Sequence, residues 1–199
     1  MNWVGRLIQH EVSKDDSVLE LGCGIMQHLL DFIPVYAKTR LKCKSLSGVD
    51  INQDYLNFLE FKNVKTYLHN LTQLPIPFDA QSYDVVLLID VLEHLPTLEA
   101  ATKLIDEAVR LAVKKIVVLT PTHFREVNPV GGSWEEFGFK TNEYQRHLIL
   151  IKKELLENYM FKIRNIKDHS NLHHLYGVRN MQKNSSFKVK VKKWCKKHE

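Results

Sequence analysis

The residues best placed to do chemistry fall into three groups. Gly22 and Gly24 follow the apolar run Ser17-Val-Leu-Glu-Leu21, Asp50 closes a second apolar run, and Asp90-Val-Leu-Glu-His94 follows a third. Glycines without a Cβ let a backbone turn tightly against a ligand, and a helix opening after them directs N–H groups at it. An acid at the end of the neighbouring strand accepts hydrogen bonds from both hydroxyls of a ribose. Alone, a Gly-x-Gly turn and a strand-end acid are shared by dinucleotide enzymes and others. Glu20 stands where nicotinamide-binding turns usually have a small or apolar residue. Met26 and Gln27 replace the late glycine that lets a helix carry a pyrophosphate. Both weigh against a nicotinamide-dependent oxidoreductase.

The elements that must position these residues alternate. Strands are expected at Ser17–Leu21, Leu46–Asp50, Val64–His69, Tyr83–Asp90 and Lys115–Thr120. The run Tyr83-Asp-Val-Val-Leu-Leu-Ile-Asp90 reads as a strand buried on both faces of a parallel sheet. Helical spacing covers about Met26–Ala37, Gln53–Phe61, Leu98–Ala112 and Leu148–Tyr159. Alternation of this kind implies right-handed βαβ units and an α/β fold. Phe161–Ile166 and Leu172–Val178 flank a polar turn too short for a parallel crossover, so they form an antiparallel hairpin. The expected fold is Rossmann-like: a seven-stranded, mostly parallel sheet with helices on both faces and one antiparallel strand near the edge. The segment Thr122–His147, with Pro129, Gly131, Gly132, Trp134, Phe137 and Phe139, is a long loop whose aromatic content points to function.

The ordered set of motifs resembles the class I S-adenosylmethionine-dependent methyltransferases, specifically the group typified by family 11. Glu20-Leu-Gly-Cys-Gly24 resembles the family's first motif and Gly48-Val-Asp50 its second. Asn70-Leu-Thr-Gln-Leu-Pro75 with Phe78 resembles the third. Tyr83-Asp-Val-Val86 with Asp90-Val-Leu-Glu-His-Leu95 resembles the fourth-strand signature, and Val118-Leu-Thr-Pro121 the end of the fifth strand. Glu143-Tyr-Gln-Arg-His147 has counterparts near the acceptor side. The similarity spans about residues 17 to 180.

That resemblance implies a transfer of methyl from S-adenosylmethionine to an acceptor by direct displacement. Gly22, Cys23 and Gly24 would face the methionine part of the cofactor, with Glu20 positioning its amino group. Asp50, followed by Ile51, would hold the ribose, and Asn70 with the N–H of Leu71 would address the adenine. Asp90 would sit near the sulfonium. His94, Asp90 and His147 are the candidate bases, should the acceptor need to lose a proton. Asn70 stands where the family has an acid, and Met26 where many members have a third glycine. A non-catalytic cofactor-binding or scaffold module is therefore the alternative.

Blander roles compete at each position. Asp50 can serve the following helix as a cap, Asn70 can stabilise a local turn, and His94 can pack before Pro96. Cys23 reads as packing, not as a nucleophile. His169, His173 and His174 lack the Cys or carboxylate spacing of a zinc site, and no metal is expected.

Composition sets the remaining bounds. The chain is 44% hydrophobic and 26% charged, which is globular. The formal charge is +5, but Lys183–Glu199 holds seven lysines and one glutamate, so residues 1–182 carry −1. Residues 1–182 are thus expected as one domain and 183–199 as a basic tail. That body has no basic bias toward nucleic acid. The tail, with Phe187-Lys-Val-Lys-Val-Lys192 and Trp194, reads as a lysine-guarded edge strand or a solvated extension. The competing reading is a weak adhesive arm for anionic lipid or nucleic acid. No apolar run reaches the ~20 residues of a membrane span. Three widely spaced cysteines and an N-terminus without a secretory h-region point to a cytoplasmic protein. The expected acceptor is a small molecule.

Overall fold

The computed structural model describes residues 3–30, 41–124 and 143–181. The chain runs α1 (Trp3–Glu11), β1 (Ser17–Leu21), β2 (Ser45–Asp50), α2 (Gln53–Phe61), β3 (Lys65–Leu68) and β4 (Tyr83–Ile89). It continues through a 3-10 turn (Leu92–His94), α3 (Leu98–Leu111), β5 (Ala112–Pro121), a second 3-10 turn (Glu143–Gln145), α4 (Lys153–Asn158), β6 (Lys162–Lys167) and β7 (His173–Asn180). The seven strands lie in the order β3-β2-β1-β4-β5-β7-β6. The first five are parallel, and β7 pairs antiparallel with both β5 and β6. The chain starts at β1 in mid-sheet, moves to one side through β2 and β3, then returns to place β4 on the other. That reversal opens a crevice at the carboxyl ends of β1 and β4.

Side-chain alternation explains why the sheet is covered twice. Val85, Leu87 and Ile89 of β4 join Val117 and Leu119 of β5 in a core with α1 and α2. Val86 and Leu88 face the other way, with Ile116 and Val118, into a core with α3 and α4. Successive strand residues point to opposite faces, so a strand covered on both sides must be apolar throughout. Each fully buried aliphatic side chain contributes about 1.5–3 kcal/mol. Helix α3 presents Ala101, Leu104, Ile105, Ala108 and Leu111 on one buried stripe. Thr97 starts it by accepting from Ala100 N–H. Near its end, Arg110 donates to the carbonyls of Ile76 and Phe78, and Glu107 accepts from Ile76 N–H. This staple fixes the loop that begins at Asn70.

Two helices differ from expectation. Met26–Leu30 is a series of turns, and residues 31–40 lie outside the described segments. Met26 sits at φ 50°, a left-handed conformation that a helix cannot continue through. The apolar side chains of Met26, Leu29 and Leu30 are still buried in the α1/α2 core, so their spacing reflects burial and not helix. The other difference is that α4 begins at Lys153, not Leu148; the preceding segment is extended, and Leu148 and Ile149 donate their N–H groups to the Glu93 carbonyl. Most of Thr122–His147 and the whole of 183–199 lie outside the described residues. No helix among the described residues is long and apolar enough to cross a membrane.

Candidate functional site

The glycine turn and the end of β2 are bonded into one unit. Gly22 N–H and Cys23 N–H both donate to Val49 O, at 2.8 and 3.0 Å. Gly22 lies at φ 70° and Gly24 at φ 50°. A Cβ on Gly22 would stand 2.2 Å from Val91 Cγ2, so only glycine fits there. Asp50 then closes the unit: Oδ2 accepts from Gly24 N–H at 2.8 Å and Oδ1 from Asn52 N–H at 2.9 Å. Burial raises its carboxyl above the usual range, against the N–H groups of Asn52, Gly24 and Ile51 that hold it down. Asn52, not Asp50, caps α2, accepting from Asp54 and Tyr55. The N–H expected to point from a following helix at a ligand is in part spent: Gly24 N–H serves Asp50.

Cys23 and Met26 pack beneath the turn. Both approach the position a Cβ on Gly48 would take, Cys23 Sγ at 2.7 Å and Met26 Cε at 2.8 Å. Burial pushes the Cys23 thiol well up, and Asp50 and Glu20 add to it, which leaves no thiolate for nucleophilic work. Met26 points into the core and leaves the turn's outer face open, so it does not crowd a ligand there.

Glu20 is fully buried on β1, with His28 Nε2 3.0 Å from Oε1. The contact lies off the hydrogen-bond axis, and neither Glu20 oxygen accepts a hydrogen bond. Burial raises the Glu20 carboxyl; His28 opposes and Asp50 reinforces the shift. Burial alone would lower His28, but Glu20 and then Asp90 outweigh it and raise it.

On the other side of the crevice, Asp90 takes φ 47° and donates its N–H to Leu119 O at 2.9 Å. A non-glycine residue in that region stores strain, and such positions cluster at working sites. Crowding by protein pushes its carboxyl up to about 6, with His174 and His28 opposing and Glu20 assisting. Its surface nonetheless reaches solvent, as befits the floor of an open crevice. Glu93, one turn on, is 1% exposed. Its Oε2 accepts from Thr120 Oγ at 3.0 Å, while its Oε1 has no hydrogen bond. Burial, then the Asp90 charge, raises the Glu93 carboxyl strongly. His94 donates from Nδ1 to Arg146 O at 3.0 Å, and desolvation keeps its imidazole below the ordinary value. His147 lies beside it, ring centroids 4.9 Å apart and edge to face. The segment carrying His147 spans the crevice: Leu148 N–H bonds Glu93 O, while Gln145 Nε2 donates to the Tyr55 hydroxyl on α2.

The expected site residues therefore gather at the carboxyl ends of the parallel strands, with one qualification. Asn70 Oδ1 accepts from both Thr72 N–H and Thr72 Oγ, which is a local turn. Leu71 is buried in the α3/α4 core. His174 pairs with Asp168 at 3.2 Å and belongs to no metal group among the described residues. The sequence placed Asp90–Leu95 and Thr120–His147 at the acceptor site, but it did not show that Glu93 is buried and bonded to Thr120, that Tyr55 meets Gln145, or that His28 pairs with Glu20. Only Glu93 carried a local signal, an acid beside a histidine after an apolar strand. A cavity of about 510 Å³ lined by Ser17, Ser45, Lys65 and Tyr83 opens at the opposite, amino ends of the strands and contains none of these residues.

Comparison with known proteins agrees with this geometry. Residues 19–115 match the family model described as a methyltransferase domain. Among solved structures, a protein of Pyrococcus horikoshii OT3 is 21% identical, with a TM-score of 0.56 over 90% of this chain and 88% of that one. A SAM-dependent methyltransferase of Aquifex aeolicus is 16% identical, with a TM-score of 0.54 over 87% and 88%. Magnesium protoporphyrin IX methyltransferase of Synechocystis PCC 6803, solved with bound SAH, is 18% identical, with a TM-score of 0.56 over 90% and 80%. These likenesses establish the fold; no curated protein matches. With the family match added, residues 19–115 are a methyltransferase domain, carried on the fold of the S-adenosylmethionine-dependent methyltransferases.

Proposed function

We propose that residues 1–182 methylate a small-molecule acceptor bound over the Leu92–His94 turn, beneath the Gln145–Ile149 segment. One observation carries this reading. Two chemically different groups adjoin at the crevice: a hydrogen-bonded glycine turn with Asp50, and an acid–histidine group after β4. S-adenosylmethionine supplies a methyl group already activated on a sulfonium. The residues fit it: Glu20 offers buried carboxylate oxygens without hydrogen bonds to an ammonium group. Asp50, whose oxygens each accept one N–H, keeps lone pairs for ribose hydroxyls. Gly22 and Gly24 allow close backbone approach, and the adenine edge falls to Leu71 N–H and the Asn70 amide nitrogen, since Asn70 Oδ1 already accepts twice from Thr72. Asp90 borders the sulfonium and favours its positive charge.

The protein's main task is alignment, since a held acceptor gains the advantage of an intramolecular reaction. Gln145 bonded to Tyr55 draws a strap across the crevice, which suits a small acceptor and excludes water. His94 accepts a proton at Nε2, because Nδ1 is committed to Arg146 O. Asp90 and His147 follow it as bases. Free thiols at Cys23 and Cys43 support a cytoplasmic setting. The lysines of 183–199 support weak, salt-sensitive contact with anionic lipid or nucleic acid.

The test is calorimetric titration with S-adenosylhomocysteine. Wild type is expected to bind, and Asp50→Ala to lose about 1.5–3 kcal/mol of affinity through charge-assisted hydrogen bonds. Equal affinity in the two proteins removes Asp50 from the site.

A further inference from the structure

We propose that Glu93, His94 and His147 form a binding site for a divalent first-row transition-metal ion. One ligand atom from each of the three lies within 4.8 Å of the others. Two imidazoles and a carboxylate are a donor set such ions accept, and three protein ligands leave positions open. Adjacent residues on a 3-10 turn supply two of the donors. The third arrives from fifty-three residues away because Leu148 and Ile149 both donate to the Glu93 carbonyl, at 2.8 and 3.2 Å.

A second observation is independent of that clustering. Glu93 is 1% exposed, and its Oε1 makes no hydrogen bond. No ion pair reaches it among the described residues. Leaving a buried carboxylate oxygen unsatisfied is costly, and a bound cation supplies what is missing. The surroundings are those of a ligand set held in place. Thr120 Oγ orients the carboxylate through Oε2. The Arg146 carbonyl takes the Nδ1 proton of His94, which leaves the lone pair on Nε2 as a donor to a metal.

The site lies on the Leu92–His94 turn, over which the acceptor is placed above, so its role in the reaction rests on that reading. An ion with open positions there binds an acceptor through oxygen and makes a hydroxyl more acidic. That narrows the acceptor class to hydroxyl-bearing molecules; with the ion bound, the lone pairs of His94 and His147 are ligands, and of the three bases named above Asp90 remains to take the proton.

The experiment uses the full chain, stripped with chelator and titrated calorimetrically with MnCl2 and with ZnCl2. Glu93→Gln and His147→Ala are compared with wild type, and each sample is also titrated with S-adenosylhomocysteine. One equivalent of Mn2+ or Zn2+ bound by wild type, weakened at least tenfold in both variants, is the expected result. Retained melting temperature and S-adenosylhomocysteine affinity in the variants show that the loss is local. No metal binding by wild type, or equal binding by wild type and variants, overturns the site even if S-adenosylhomocysteine binds normally. Loss of S-adenosylhomocysteine binding by wild type with metal binding intact overturns the cofactor reading instead.

Discussion

Two strand ends face each other across the crevice, and they are finished to different degrees. At the end of β2, Asp50 accepts from Gly24 and Asn52, Asn52 caps α2, and the Val49 carbonyl takes two N–H groups of the glycine turn. After β4, Asp90 is held in a left-handed conformation and Glu93 keeps a buried oxygen without a hydrogen bond. Buried polar groups are nearly always satisfied within the protein or by something bound to it. The N–H groups at the β2 end are thus satisfied by the chain itself, while the β4 end keeps a buried oxygen that the chain does not satisfy.

Gly22 joins the two ends, since Val91 occupies the space a side chain would need. Gly22→Ala is expected to have the largest effect, a loss of about 2–4 kcal/mol in stability from positive φ and overpacking together. Urea unfolding measures it, and a loss below 1 kcal/mol would mean that the ends are not braced there. Asp50→Ala is next in size. Beyond its effect on S-adenosylhomocysteine affinity, it strands the Gly24 N–H and should cost about 1–3 kcal/mol of folding stability. Glu93→Gln should differ in kind: burial already favours the neutral carboxyl, and an amide of the same shape replaces it, so stability stays within about 1 kcal/mol or improves. If Glu93→Gln destabilises as much as Asp50→Ala, the contrast between the two ends fails.

The smallest effect concerns pH at Glu20 and His28. His28 is raised above 6.5 in the fold, so its stabilising contribution is full below that value and is lost as pH rises through the raised value. Glu20 is raised from 4.5, so its destabilising contribution grows as pH rises from there. Both signs agree. The melting temperature should fall modestly as pH rises above 6.5, and Glu20→Gln should flatten that fall. An unchanged slope in Glu20→Gln assigns the dependence to other groups.

Much of this arrangement was legible in the sequence, for identifiable reasons. Strand β4 was plain because burial on both faces leaves no polar position between Val85 and Ile89. The glycine turn and Asp50 were plain because local spacing alone places them. Met26–Leu30 misled, since apolar side chains at helical spacing are equally satisfied by packing under a turn. The contacts of the β4 end were hidden for a different reason. The sequence brought Asp90–Leu95 and Thr120–His147 to one side, but the bonds of Thr120 to Glu93 and of Gln145 to Tyr55 join distant segments and appear only in the tertiary structure.

The most direct test of the account is a crystal structure of the full chain with S-adenosylhomocysteine. The account predicts the ribose hydroxyls within hydrogen-bond distance of the Asp50 carboxylate, the amino group at Glu20, and the sulfur directed toward Asp90 and the Leu92–His94 turn. A nucleoside bound elsewhere, with Asp50 still bonded only to Gly24 and Asn52, would contradict it.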